Sequence, residues 1–118
     1  MISVILCAAG SGSRAGFPEN KVLRELNGLP VLLYSLSAFG GADEILIPCR
    51  EEDKARIGAL LSPFPQARTV RGGKTREESV FSALQEVKGD IVLIHDAARP
   101  FVTAKIVNDC IESVQKYG

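Results

Sequence analysis

Short apolar runs alternate along this chain with stretches whose apolar residues recur at helical spacing. Met1-Ile2-Ser3-Val4-Ile5-Leu6 reads as a buried first strand. A glycine-rich loop follows, then the short, partly alternating Val22-Leu23-Arg24-Glu25-Leu26. Asn27-Gly28 makes a turn after it, and Pro30 can open a helix at its first position. Leu29, Leu32, Leu33, Leu36 and Phe39 predict one helical stripe up to the Gly40-Gly41 stop. Glu44-Ile45-Leu46-Ile47-Pro48 predicts a second buried strand, and Glu51 to Leu61 a surface helix with Ile57, Leu60 and Leu61 inward, ended by Pro63 and Pro65. Ala67-Arg68-Thr69-Val70 is a weak third strand. Thr75 with Glu78 three residues on has capping-box spacing and opens a helix whose stripe is Val80, Phe81, Leu84 and Val87, stopped by Gly89. Ile91-Val92-Leu93-Ile94 is the clearest strand, and Thr103 caps a last helix through Ile106, Val107, Cys110, Ile111 and Val114.

Strands separated by helices imply right-handed crossovers and an α/β fold with a doubly wound, mostly parallel sheet, whose ligands bind beyond the carboxyl ends of the strands. Polar clusters follow three of the strands: the loop after Leu6, Gly72 to Ser79, and His95 to Arg99. Their convergence would make one site.

Composition narrows the partners. The 118 residues form one domain at most, 46% hydrophobic as in an ordinary soluble globular protein. Fourteen basic and fourteen acidic residues cancel, so no general attraction to nucleic acid or membrane is expected and any anion binding is local. Cys7, Cys49 and Cys110 are odd in number and far apart, which argues against zinc and disulfides and for reduced, buried thiols in the cytoplasm. The amino terminus lacks the basic lead and apolar length of a signal peptide, and no stretch is long enough to span a membrane.

The loop Cys7-Ala8-Ala9-Gly10-Ser11-Gly12-Ser13-Arg14-Ala15-Gly16-Phe17-Pro18-Glu19-Asn20-Lys21 carries the most chemistry. Glycines let backbone N–H groups approach an anion, and Arg14 and Lys21 add full charges, a combination suited to polyphosphate. A Walker A loop would end in Gly-Lys-Ser/Thr, which is missing. Gly10-x-Gly12-x-x-Ala15 fits a relaxed dinucleotide fingerprint, but Pro18 falls where its helix would run, and Pro48, Cys49 and Arg50 stand where its acid belongs. Gly72 and Gly73, with the helix start after them, offer a second set of backbone groups; the same spacing also fits a glycine turn before an ordinary capped helix. Asp96 at a strand end beside a polyphosphate loop suits a hard divalent cation such as Mg2+, which takes one or two carboxylates plus phosphate oxygens. An Asp96–Arg99 ion pair that only ties the loop is the plainer alternative. His95 reads as a hydrogen-bonded structural residue before a catalyst.

Ala8-Ala9-Gly10-Ser11-Gly12-Ser13-Arg14 with Lys21, then Gly72-Gly73-Lys74-Thr75-Arg76-Glu77-Glu78-Ser79-Val80, then His95-Asp96-Ala97-Ala98-Arg99-Pro100 resemble, in order and spacing, the 2-C-methyl-D-erythritol 4-phosphate cytidylyltransferases of isoprenoid precursor synthesis. The first block is shared with many sugar-phosphate nucleotidyltransferases; the three together are much narrower. The resemblance implies a Rossmann-like nucleotidyltransferase fold and a reaction joining CTP to methylerythritol phosphate with release of pyrophosphate. It implies catalytic roles for Arg14 and Lys21 at the triphosphate, and nucleotide binding by Ala8, Ala9, Gly10, Ser11, Gly12, Gly72, Gly73, Arg76, Ser79 and Asp96. Gly73 and Ser79 would lie near cytosine, Asp96 would also serve Mg2+, and Arg99 would face the acceptor. Ribitol-5-phosphate cytidylyltransferases share all three blocks, so the sugar-alcohol phosphate stays open. Lys74 departs from the acidic or small residue common in the second block, and Cys7 from a proline common before the two alanines. The family continues past Gly118 with further strands and an arm that forms a homodimer. Residues 1–118 therefore match its nucleotide-binding part, expected by themselves to bind nucleotide without turnover and to leave a sheet edge uncovered.

Overall fold

Branched apolar runs and helical stripes alternate in the computed structural model, which describes residues 1–8, 23, 25–97, 105–106, 109 and 111–113. Strand β1 (Ile2–Cys7) precedes a small antiparallel hairpin of β2 (Glu25–Leu26) and β3 (Leu29–Pro30), and helix α1 (Val31–Ala38) follows directly. Next come β4 (Glu44–Cys49), a 3-10 turn at Glu51–Asp53 running into α2 (Lys54–Ala59), β5 (Ala67–Arg71), α3 (Arg76–Leu84) and β6 (Ile91–Asp96). Residues 105, 106, 109 and 111–113 are helical.

The main sheet has the order β5-β4-β1-β6, parallel throughout. From β1 the chain moves outward to β4 and β5, then returns to place β6 on the other side of β1. The strand order therefore reverses between β1 and β6, the place where ligand crevices open in such sheets. Alternate residues of each strand feed two apolar layers. Val4, Leu6, Ile45 and Ile47 pack with Leu32 and Leu36 of α1 and Ile57 of α2 on one face; Ile5, Cys7, Leu46 and Val70 pack with Ala83 of α3 on the other. The sheet is doubly wound, and β1 and β4 are buried almost throughout because helices cover both their faces.

Local chemistry sets the element ends. Asn27 (φ 54°) and Gly28 (φ 83°) both take positive φ, the requirement of the two-residue hairpin turn between β2 and β3. Pro30 ends β3 and stands as the N-cap of α1, one residue before the first helical position expected for it, and Tyr34 Oη donates to the Leu26 carbonyl at 2.6 Å, pinning the hairpin to the helix. Thr75 caps α3 by accepting from the Glu78 N–H at 3.1 Å.

Four expectations are corrected. Leu29 belongs to β3 and is exposed, because the turn at Asn27-Gly28 is followed by a returning strand before the helix starts. The helix expected from Glu51 is a 3-10 turn followed by α2, with only Ile57 fully inward among its apolar residues. In α3 the stripe is half right: Val80 and, past the helix, Val87 pack partly against the core, but Phe81 and Leu84 are 65% and 40% exposed and Ser79 and Ala83 are buried in their place. The helix also ends before Val87. Small side chains let α3 lie close on the sheet, whereas a Phe facing inward would hold it away. Ile106, expected inside, is 51% exposed, while Ile111 packs partly against the core. The candidate cap Thr103 and Val107, Cys110 and Val114 lie outside the described residues.

Among the described residues β6 is an edge strand, paired only with β1, and its Ile94 is 45% exposed. α3 packs on β4, β1 and β5 and leaves that residue bare.

Candidate functional site

Three chain segments leave the sheet at its carboxyl rim, each held by one hydrogen bond that extends the strand ladder. Ala8 N–H donates to the Pro48 carbonyl at 3.1 Å, Gly72 N–H to Cys49 at 2.9 Å, and Ala97 N–H to Cys7 at 3.1 Å. Cys7 stands opposite Asp96 in register, so the first loop and the His95–Asp96 segment emerge side by side across the reversal of strand order. β5 lies two strands away from β1. Its cluster reaches the centre because α3 turns back over β4 and β1.

Electrostatics at Cys7 show that return. Burial pushes its thiol up; the Arg76 guanidinium acts against this and the Asp96 carboxylate adds to it. One side chain at the end of β1 thus feels a cation from the start of α3 and an anion from the end of β6. Burial raises Cys49 to about 11, with Asp53 contributing. Both thiols are free and buried, as their spacing suggested, and neither is a nucleophile near neutral pH. Arg50, just past β4, is tied by Nε to Asp53 at 2.8 Å and to Glu52 at 3.3 Å, and the Asp53 hydrogen bond raises its pKa.

The turn before α3 is braced from within. Gly73 N–H donates to Ser79 Oγ at 2.9 Å, and Lys74 N–H donates to Glu78 Oε2 at 2.8 Å. A Cβ on Gly73 would lie 2.4 Å from the Glu78 Cβ, so only glycine lets the turn approach the helix this closely. Glu78 does not close the capping box that its spacing suggested; its carboxylate reaches one residue further back, to Lys74. The N–H groups of Gly73 and Lys74 are therefore engaged inside the protein, and Ser79 is only 1% exposed.

His95 packs its ring on Phe39, with centroids 5.3 Å apart and planes tilted by 53°. Among the described residues its Nε2 is buried without a hydrogen-bond partner, so the hydrogen bond expected from sequence is not seen there. That contact turns the imidazole toward the α1 layer, in keeping with a structural reading. Ser35 Oγ donates to the Ala97 carbonyl at 3.3 Å, so α1 also supports the segment after Asp96.

Of the candidates from sequence, Ala8, Gly72, Gly73, Arg76, Ser79 and Asp96 are described and gather on this rim. Ala9, Gly10, Ser11, Gly12, Arg14, Lys21 and Arg99 lie outside the described residues. Sequence reasoning gave Glu78 a helix-start role only, although its place five residues after Gly73 was visible. No group of three or more His, Cys, Asp or Glu side chains comes together as a metal cage among the described residues. No helix among them is long and apolar enough to cross a membrane.

Residues 2–118 match the family described as 2-C-methyl-D-erythritol 4-phosphate cytidylyltransferase. The chain belongs to this family. A cytidylyltransferase of that name from Bacillus mycoides is 38% identical over 125 residues, which take in 100% of this chain and 55% of the relative. Among solved structures, a 4-diphosphocytidyl-2C-methyl-D-erythritol synthase from Anaerococcus prevotii superposes with a TM-score of 0.82 at 31% identity, over 98% of this chain and 51% of that one. The 2-C-methyl-D-erythritol 4-phosphate cytidylyltransferase from Thermus thermophilus gives 0.76 at 33% identity, over 98% and 50%. The chain spans about half the length of these cytidylyltransferases. The Rossmann-like nucleotidyltransferase fold expected from sequence is thus the fold of this family member.

Proposed function

We propose that this chain is the nucleotide-binding part of a cytidylyltransferase that takes CTP and 2-C-methyl-D-erythritol 4-phosphate to the cytidine diphosphate derivative and pyrophosphate. The observation that carries the reading is the convergence at the reversal of strand order, where Cys7, which leads into the glycine loop, stands opposite Asp96 and α3 returns over β4 and β1. Family membership supports the choice of nucleotide and acceptor.

A phosphate oxygen of the acceptor attacks the α-phosphorus of CTP; that P–O bond forms as the bond to the bridging oxygen breaks, and pyrophosphate carries away the electron pair. Direct displacement needs no covalent enzyme intermediate, and burial pushes up the Cys7 and Cys49 thiols, which leaves neither as a nucleophile. Catalysis then rests on positioning and charge. Arg14 and Lys21 are assigned the charge that grows on the leaving pyrophosphate, and backbone groups of Ala8, Ala9, Gly10, Ser11 and Gly12 its phosphates. Gly72, Gly73, Arg76 and Ser79 flank the nucleoside, and Arg99 faces the acceptor. Asp96 supplies one carboxylate, with no group of three or more possible ligands among the described residues, a donor set that fits a Mg2+ ion held mainly by substrate phosphates. Such an ion would neutralise triphosphate charge. A homodimer and a cytoplasmic location complete the proposal.

Calorimetric titration of the protein with CTP and Mg2+ tests it. Heat with CTP and little with ATP or GTP is the expected result; equal response to all three would sink the pyrimidine assignment.

A further inference from the structure

We propose that Glu78 is a positioning residue of the nucleotide site, holding the Gly72–Lys74 turn in its binding shape. The inference rests on the proposed function and adds a residue to it. From one position in the first turn of α3, Glu78 touches three consecutive residues of the turn. Its Oε2 accepts from Lys74 N–H at 2.8 Å, its own N–H donates to Thr75 Oγ1 at 3.1 Å, and its Cβ lies where only a glycine at 73 can fit. Ser79 adds the bond from Gly73 N–H at 2.9 Å.

These contacts reach beyond capping. A cap satisfies donors of the helix itself, whereas Lys74 lies before the N-cap Thr75, and fixing its N–H adds nothing to the helical ladder. What the bond fixes is the path of the turn after Gly72, which is itself anchored to Cys49 at the sheet rim. Glu78 is also exposed and outside both apolar layers, so the core does not depend on its side chain. A solvated carboxylate that spends its acceptor on a non-helical N–H trades free rotation for loop geometry.

Charge makes the role separable from a surface effect. A carboxylate beside a site for a triphosphate repels it, so deleting a bystander Glu78 would leave CTP binding equal or tighter. Deleting a positioning Glu78 weakens it. Glu78→Gln removes the charge and keeps an oxygen for Lys74 N–H, so it separates shape from charge.

The experiment compares unmodified protein, Glu78→Ala and Glu78→Gln by CTP–Mg2+ calorimetry, by exchange of the Lys74 amide proton, and by thermal midpoint. In Glu78→Ala the Lys74 amide is expected to exchange faster and CTP affinity to fall roughly tenfold, the scale of one charge-assisted hydrogen bond. In Glu78→Gln both are expected within about twofold of the unmodified protein. Equal or tighter CTP binding by Glu78→Ala, or an unchanged Lys74 amide, overturns the role while the function stands. So does a Glu78→Gln variant that loses as much as Glu78→Ala, or an affinity loss fully matched by a fall in thermal midpoint. Absence of CTP binding by the unmodified protein instead removes the proposed function, and this role with it.

Discussion

The two rims of the sheet solve opposite problems. At the amino rim a buried carboxylate is closed in on every side: Glu44, 5% exposed, accepts from Ser3 Oγ at 2.6 Å, from Lys88 N–H at 2.6 Å and from Arg68 Nη1 at 3.3 Å. Gly89 N–H completes the ring by donating to Ser3 Oγ at 2.9 Å. At the carboxyl rim the polar groups are loop N–H groups, a buried His95 Nε2 without a partner among the described residues, and charges of both signs around Cys7. One rim ties β1, β4, β5 and the segment before β6 together through a buried carboxylate; the other is where three chain segments leave the sheet beside the proposed nucleotide site. The difference assigns stability to the first and function to the second, and each assignment can be broken separately.

The largest effect is expected at the carboxyl rim. Lys21→Ala and Arg14→Ala should each lower pyrophosphate release, in a form of the enzyme that turns over, by about a hundredfold or more while changing CTP affinity little, because the charge they are proposed to meet grows in the transition state. A rise in the Michaelis constant alone would make either residue a ground-state binder. At the amino rim Glu44→Ala should cost about 2–3 kcal/mol of folding stability, since it strands a buried hydroxyl, an N–H and a guanidinium that is half exposed. CTP affinity should stay unchanged; a parallel loss of binding in the folded variant would erase the division between the rims.

Gly89→Ala comes next, at about 1–3 kcal/mol, because its Cβ would lie 2.4 Å from Ser3 Oγ and 2.7 Å from the Met1 carbonyl oxygen. Denaturant titration of the variant measures it, and a wild-type midpoint would show that the rim is more yielding than it looks.

Acid sharpens the contrast further. Burial alone would raise the Glu44 carboxyl, but the hydrogen bonds from Ser3, Lys88 and Arg68 outweigh it and hold the group below its ordinary 4.5. A depressed folded value adds stability that is fully present above the ordinary value and lost as pH falls through the folded one. Glu44→Gln should therefore flatten the acid limb of the stability profile below about pH 4.5. An unchanged acid limb would show that other carboxylates set it.

The smallest effect tests the packing of α3. Phe81→Gln should change stability by no more than about 0.5 kcal/mol, as for a surface position. A loss of several kcal/mol would restore Phe81 to the core.

Much of the architecture was legible because β1 and β4 are continuous branched apolar runs, which a sheet covered on both faces requires. The face of α3 was legible only in part, since Val80 and Val87 do pack on the core, whereas Phe81 and Leu84 fit the helical period as well as Ser79 and Ala83 do. Only the closeness of helix and sheet selects the smaller set. Asn27-Gly28 announced a hairpin, but nothing local showed that Leu29 would join its second strand. At the site, three clusters after strand ends were readable, whereas the place of β5 two strands from β1, and the return of α3 that compensates for it, depend on strand order. Glu44 was hidden for a related reason: Ser3 is 41 residues away and Lys88 is 44, and no periodicity reports such partners.

The pairing of β1 with β6 has a kinetic consequence. The hairpin, α1 and the β4–β5 crossover close over short stretches of chain, while β6 must find β1 from the far side of nearly everything between them, and contacts of large sequence separation carry the heaviest loop-closure cost. Docking of β6 is then the last event in building the sheet. Until it happens Cys7 faces no Asp96, so a refolding chain should gain most of its helical signal before the proposed nucleotide site is assembled.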